Sequence, residues 1–202
     1  MTIRTALGFM FIVLSLSTVT VKAQSQPRER TISRLPVEQN ELIGLTAVKV
    51  NGERVFAKKP FLADDEWLKG LVVSVKNRSD KRILFVSVQL QFPRPIGSQE
   101  TLSIFDISYG AWALQTRPPT NEERLTGIAP GETMEIRMSE QRYNSLRQFL
   151  NETLYPSSID KVDLRINSVI FEDDTMWTRG TEARRDPSDP TSWVRSRDSK
   201  PH

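Results

Sequence analysis

Short strands of alternating character, closely spaced turns and one isolated helical stripe predict a mainly β chain. The expected architecture is an antiparallel β-sandwich with a single inserted α-helix at about 139–154. The clearest signal is the stretch from Leu71 to Phe92. Leu71, Val73 and Val75 alternate with Val72, Ser74 and Lys76. After the polar turn at 77–81, Leu84, Val86, Val88, Leu90 and Phe92 alternate with Phe85, Ser87, Gln89 and Gln91. A period of two over both arms means strands with one buried face, here expected to pair as a hairpin. The second signal is a run of turn residues between these segments. The third is the stripe Tyr143, Leu146, Phe149, Leu150 and Leu154, which Ser139 caps and Pro156 stops.

The elements follow in chain order. Residues 1–23 have the layout of a secretory signal: Arg4, the apolar run from Leu7 to Leu16, then Val21 and Ala23 at cleavage-site spacing. The apolar run fades into Ser15, Ser17, Thr18 and Thr20, short of the roughly 20 residues that a spanning helix needs. The expectation is therefore export to the periplasm or the medium, with no transmembrane segment once the signal is cleaved. Residues 24–40 are polar, contain Pro27 and Pro36, and read as a flexible leader. From Glu41 to 178 the chain reads as the β-sandwich domain. Ile43 to Val50 meets Asn51 and Gly52, a strong two-residue hairpin signal, and Glu53 to Ala57 returns.

Residues 115–131, with Pro118 and Pro119, lack a period and read as a long surface loop. Pro130 and Gly131 turn into Thr133 to Met138, where Met134, Ile136 and Met138 share a face. Val162, Leu164 and Ile166 alternate with Asp163, Arg165 and Asn167, but beyond Ser168 the apolar phase moves to Val169 and Phe171. That one-residue shift predicts a β-bulge near Asn167 and Ser168. Asp173 and Asp174 then turn the chain into Thr175 to Trp177. The segment 179–202 is charged, holds Pro187, Pro190 and Pro201, and reads as a mostly irregular tail. Trp193 is expected to anchor it to the domain as extended chain outside any sheet.

The segment Leu71–Phe92, the run Ala129 to Glu132 entering a strand, and Val169–Trp177 with its acidic turn resemble immunoglobulin-like or fibronectin-III-like domains of uncharacterised secreted bacterial proteins. The resemblance spans about 60–195 and implies a fold; no family active site comes with it.

Composition excludes much chemistry. The sequence has no cysteine, so disulfides, thiolate nucleophiles and cysteine-bound metals are out. The one histidine is His202, so no histidine triad or imidazole base lies within the fold. The chain has 28 basic and 25 acidic residues, and Arg4 and Lys22 belong to the signal. What remains is nearly neutral, without the clustered positive surface that nucleic acid requires. No glycine-rich phosphate loop is present and no cofactor is implied.

Two acidic clusters, Asp64 to Glu66 and Glu172 to Asp174, offer hard oxygens for calcium or a carboxylate pair, but match no ligand template; turn chemistry explains both. Trp67, Tyr109, Trp112, Trp177 and Trp193 are candidate contacts for a ligand or partner, against a core role that is normal for Trp between sheets. The leading expectation is an exported, non-enzymatic β-sandwich that binds a protein or cell-envelope partner. The alternatives are a carbohydrate-binding module built on surface aromatics and a hydrolase working with carboxylates alone. Exposure of Trp67, Trp112 and Trp177 separates the first two: open rings favour sugar, buried rings the interaction module.

Overall fold

The computed structural model describes residues 26–36, 41–55, 58–93, 102–156 and 158–196; the signal reading at 1–23 lies outside them. Among the described residues, 12 strands form two sheets, and the chain adds two α-helices. The smaller sheet has the order β3 (Glu53–Val55), β2 (Ile43–Val50), β5 (Leu71–Asn77), β8 (Thr133–Arg137), all antiparallel. Asn51 and Gly52 make the β2–β3 turn, both with positive φ (51° and 86°), as a type I′ hairpin requires.

The larger sheet is built on β6 (Ile83–Pro93) and β9 (Lys161–Phe171), which are antiparallel; β7 (Leu102–Tyr109) pairs with the far side of β6. On its other side β9 has two partners. Its first half pairs in parallel with β1 (Arg28–Arg34), which carries β4 (Phe61–Ala63). Its second half pairs with β10 (Thr175–Thr178), followed by β11 (Thr181–Arg185) and β12 (Trp193–Arg195). Apolar side chains of both sheets, among them Val73, Val75 and Ile136 from one and Val86, Val88, Leu90 and Ile166 from the other, join in one core. The helix α2 (Glu140–Glu152) is capped by Ser139, whose hydroxyl accepts from the Arg142 amide, and buries Tyr143, Leu146 and Leu150.

Several expectations need correction. The arms of Leu71–Phe92 do not pair: β5 lies in one sheet and β6 in the other. Each already has neighbours on both sides, so their apolar faces meet across the core instead of lying side by side. Asn77 makes the corner. Its Nδ2 donates to Lys81 O (2.8 Å) and Ile128 O (3.0 Å), and its Oδ1 accepts from the Ser79 amide (3.0 Å) and hydroxyl (2.7 Å).

The leader contains β1, whose inward positions are Arg30 and Ile32. An inward arginine hid the strand from a hydrophobicity reading, and the β1–β9 pair makes the sheet mixed instead of antiparallel. The loop at 115–131 carries a second helix, α1 (Asn121–Thr126), closed by a capping box between Thr120 and Glu123. The tail does enter the sheet as β11 and β12, so the domain runs past 178. Trp193 is its anchor, but as a strand residue.

The bulge stands where the phase shift placed it: Ser87 pairs with Ser168 and Val88 with Ile166, leaving Asn167 without a partner on β6.

Candidate functional site

The five aromatic candidates do not form one platform. Trp67 is 1% exposed; its Nε1 donates to Ile159 O (2.8 Å) and its ring meets Phe61 edge-on at 5.5 Å. Trp177, also 1% exposed, belongs to the core between the sheets. Both are structural residues, which corrects their reading as contacts. Tyr109 is half-buried and donates its hydroxyl to Thr126 O (3.0 Å).

Trp112 is different. It is 55% exposed and stands edge-on to the buried Phe85 ring at 5.5 Å. Trp193 lies close by in the fold: its Nε1 donates to Gln115 O (2.8 Å) and the Arg185 guanidinium covers its ring at 4.2 Å. Around them Leu84, Phe85, Leu114 and Ile170 form a small second core on the outer face of the larger sheet.

The acidic clusters are engaged with bases. Arg30, with no exposed side-chain surface, donates to Asp65 Oδ1 (2.6 Å), Asp64 O (3.2 Å), Ser158 Oγ (2.8 Å) and Ile159 O (3.1 Å), and also to Asp160. The Arg30 hydrogen bond holds the Asp65 carboxyl below the usual range. Asp174 binds Arg124 (2.6 Å) and Arg185 (3.3 Å), Asp173 binds Lys81 (2.8 Å), and Glu172 accepts from the Arg82 amide (3.0 Å). These are clips between chain segments, not ligand cages. Among the described residues no group of three or more acids or histidines is placed to hold a metal ion.

The residues that do converge lie on the outer face of the larger sheet. Because β6 alternates, Val86, Val88 and Leu90 point into the core while Ser87, Gln89 and Gln91 point away. Register places Ser108 and Asp106 of β7 beside Ser87 and Gln89 on one side, and Ser168, Arg165 and Asp163 of β9 beside Ser87, Gln89 and Gln91 on the other. Arg165 Nε donates to Gln89 Oε1 (2.9 Å), and with the Gln91 amide oxygen turned toward it also to Gln91 (3.2 Å).

The bulge sets the centre of this face. It turns Asn167 outward beside Ser168, where its Nδ2 donates to Asp106 Oδ2 (3.4 Å) and its Oδ1 accepts from Arg179 Nε (3.2 Å). Strands β7 and β9 lie on opposite sides of β6, so this bond bridges a central strand. On the β7 side, Arg142 of α2 donates to Ser108 O (2.6 Å) and Oγ (3.1 Å).

Burial pushes the Asp106 carboxyl above the usual range, against the opposing influence of Gln89, Ser87, Arg179 and Arg165. Four polar atoms here are buried without a hydrogen-bond partner of good geometry among the described residues: Ser87 Oγ, Asp106 Oδ1, Ser168 Oγ and Thr178 Oγ1. Sequence reasoning read Ser87, Gln89, Gln91, Asp163 and Arg165 as the solvent phase of their strands and passed over Asp106. The available signal was chemical: the polar phase uses planar amide, carboxylate and guanidinium groups, and the bulge falls among them.

Compared with family models, curated proteins and solved structures, the chain gives no match.

Proposed function

We propose that this protein is an exported, non-enzymatic β-sandwich of immunoglobulin-like type that binds a protein or cell-envelope partner. The reading rests on the signal-like residues 1–23, on two sheets sharing one core, and on the polar network that Asn167 ties across β6. That network is the observation that carries it. The strip itself is closed to water, with Ser87, Gln89 and Gln91 buried, while Asp106, Arg165 and Asn167 stand half-buried at its border. The buried amides lock that border carboxylate, arginine and amide in fixed geometry on the sheet, and the half-buried border is the part offered to a partner.

Burial of Trp67 and Trp177 supports an interaction module over a platform of three aromatic rings. The carboxylate-only hydrolase gains nothing. Asp106 is the acid shifted upward on this face, and the groups that set its ionisation include no second carboxylate.

The test is co-sedimentation of the exported chain with isolated cell envelopes. Wild type should pellet with the envelope, Arg165→Ala should do so much less, and Glu53→Ala on the β3 edge of the other sheet should match wild type. Equal pelleting of all three would remove the outer face from the account, and no pelleting of wild type would remove envelope binding.

A further inference from the structure

We infer that β7 pairs edge to edge with β7 of a second copy of this chain, joining two larger sheets into one across a two-fold axis at Ile104. The first support is which backbone groups of β7 are left over. The Leu35 amide donates to Leu164 O (2.9 Å), so Leu164 turns its backbone groups toward β1. Backbone groups of successive strand residues point to opposite sides, so Asp163 and Arg165 turn theirs toward β6, onto Gln91 and Gln89. Val88, Leu90 and Phe92 of β6 must then serve β7, through Ile107, Phe105 and Ser103. The alternate residues Leu102, Ile104, Asp106 and Ser108 direct their amides and carbonyls away from β6. Arg142 agrees with this parity, since it donates to Ser108 O (2.6 Å) from α2, outside the sheet. That bond closes the edge at Ser108. It leaves an open run from Leu102 to Asp106, where β7 has no strand on its outer side among the described residues.

The second support is how unlike the other sheet ends this edge is. Strands β3, β4 and β12 end their sheets with three residues each, and β8 is five residues long and carries Glu135 and Arg137. Short strands and charges of this kind keep sheet edges from pairing. β7 is eight residues long, holds no lysine, arginine or proline, and follows β6 without a break in register. Its outward residues Leu102 and Ile104 are 38% and 42% exposed. An edge so long and so apolar is a template for another strand.

The second copy follows from the pattern of the edge itself. Antiparallel pairing centred on Ile104 sets Ile104 opposite Ile104 of the second copy, and Leu102 of each copy opposite Asp106 of the other. In that register the amides of Leu102, Ile104 and Asp106 in each copy donate to the carbonyls of the same residues in the other, and no two like charges are set opposite. The two exposed isoleucines leave water together at the axis. Because β6 fills the other side of β7, the contact is isologous and stops at two copies. The outer faces of the two larger sheets become continuous, so envelope binding as proposed above would engage two sites at once; the pairing itself does not depend on that reading.

Sedimentation velocity of the chain from residue 24 onward, from about 1 μM to about 300 μM, reads the pairing over the range in which small interfaces dissociate. The expected result is a shift from one to two chain masses with rising concentration. Ile104→Lys puts two ammonium groups face to face at the axis and should leave a monomer throughout. Ile104→Pro removes an amide that β6 does not use and should do the same. Leu62→Ala, which trims an exposed leucine on β4, should dimerise like wild type. Circular dichroism checks that each variant is folded, and Ile104→Lys carries the test should the proline variant unfold.

Hydrogen exchange identifies the contact. In the dimer the amides of Leu102, Ile104 and Asp106 should exchange about tenfold more slowly than in the monomer, while those of Phe105 and Ile107, already bonded to β6, should change little. A wild type that stays monomeric at every concentration would overturn the inference and leave the edge to a different strand. So would assembly that grows past two copies, a dimer that Ile104→Lys leaves intact, or a loss of pairing shared by Leu62→Ala.

Discussion

The two faces of β6 and β9 are made from the same residues in alternation, yet they do opposite things. Inward, Val86, Val88, Leu90, Leu164 and Ile166 are sealed in the core, where their contribution is hydrophobic and without direction. Outward, Gln89, Gln91, Arg165 and Asn167 are held by directed hydrogen bonds and leave polar atoms unpartnered, an arrangement that costs stability. On the function proposed above, stability and recognition are separated within single strands, one residue apart.

The largest effect belongs to the inner face. Val86→Asp places a charge in the middle of the core at a cost of several kcal/mol, comparable to the whole stability of a domain. Far-ultraviolet circular dichroism should show an unfolded chain; a folded Val86→Asp protein would break the distinction. Arg30→Ala comes next. It removes the guanidinium that fastens β1 to Asp64–Asp65 and to 158–160, and should cost about 2–4 kcal/mol in urea denaturation. Arg30→Lys should recover little of that, because an ammonium cannot reproduce a fork of five bonds.

On the outer face the expected sign reverses. Burial raises the Asp106 carboxyl in the folded protein, whereas the unfolded chain titrates it at its ordinary value of 3.8. Stability is therefore lost as pH rises from the ordinary value through the raised one, since the folded state must then give up a proton it holds more tightly. Asp106→Asn removes this penalty. Its urea midpoint should equal or exceed that of wild type at pH 7, and the advantage should disappear at pH 3. A variant less stable at pH 7 than at pH 3, relative to wild type, would contradict it.

The smallest effect is local and lies outside both faces. Arg117 and then the Thr120 amide hold the Glu123 carboxyl down to about 2. The stabilisation is present above the unfolded value of 4.5 and is lost as pH falls through about 2. A carboxyl titration followed by NMR should put the Glu123 midpoint near 2; a midpoint near 4.5 would mean that the α1 capping box is not closed.

Much of the inner face was legible because hydrophobic period is a local property. The β2–β3 turn, the strands around Val73, Val88 and Leu164, the Ser139 cap and the bulge at Asn167 all follow from patterns a few residues long. What escaped depends on distant partners. β1 looked like leader because its inward Arg30 is tolerable only beside Asp65 and Asp160, which lie 35 and 130 residues further along the chain. The separation of β5 from β6 rests on which neighbours complete each ladder, and β11–β12 exist because Trp193 finds Gln115 O and Arg185. The candidate site was half legible. Trp112 was singled out by type and the bulge by phase, but only register brings Asp106, Gln89 and Arg165 side by side.

Hydroxyl-radical footprinting of the chain from residue 24 onward, free and bound to isolated envelope, tests the division of labour most directly. Trp112 and Leu62 are both open to solvent, at 55% and 72% exposure; Trp112 borders the outer polar face, and Leu62 lies on β4, away from the β6–β7–β9 network. Bound envelope should suppress oxidation of Trp112 and leave Leu62 as reactive as in the free protein. Protection of Leu62 alone, or of neither residue while the protein is bound, would contradict the account.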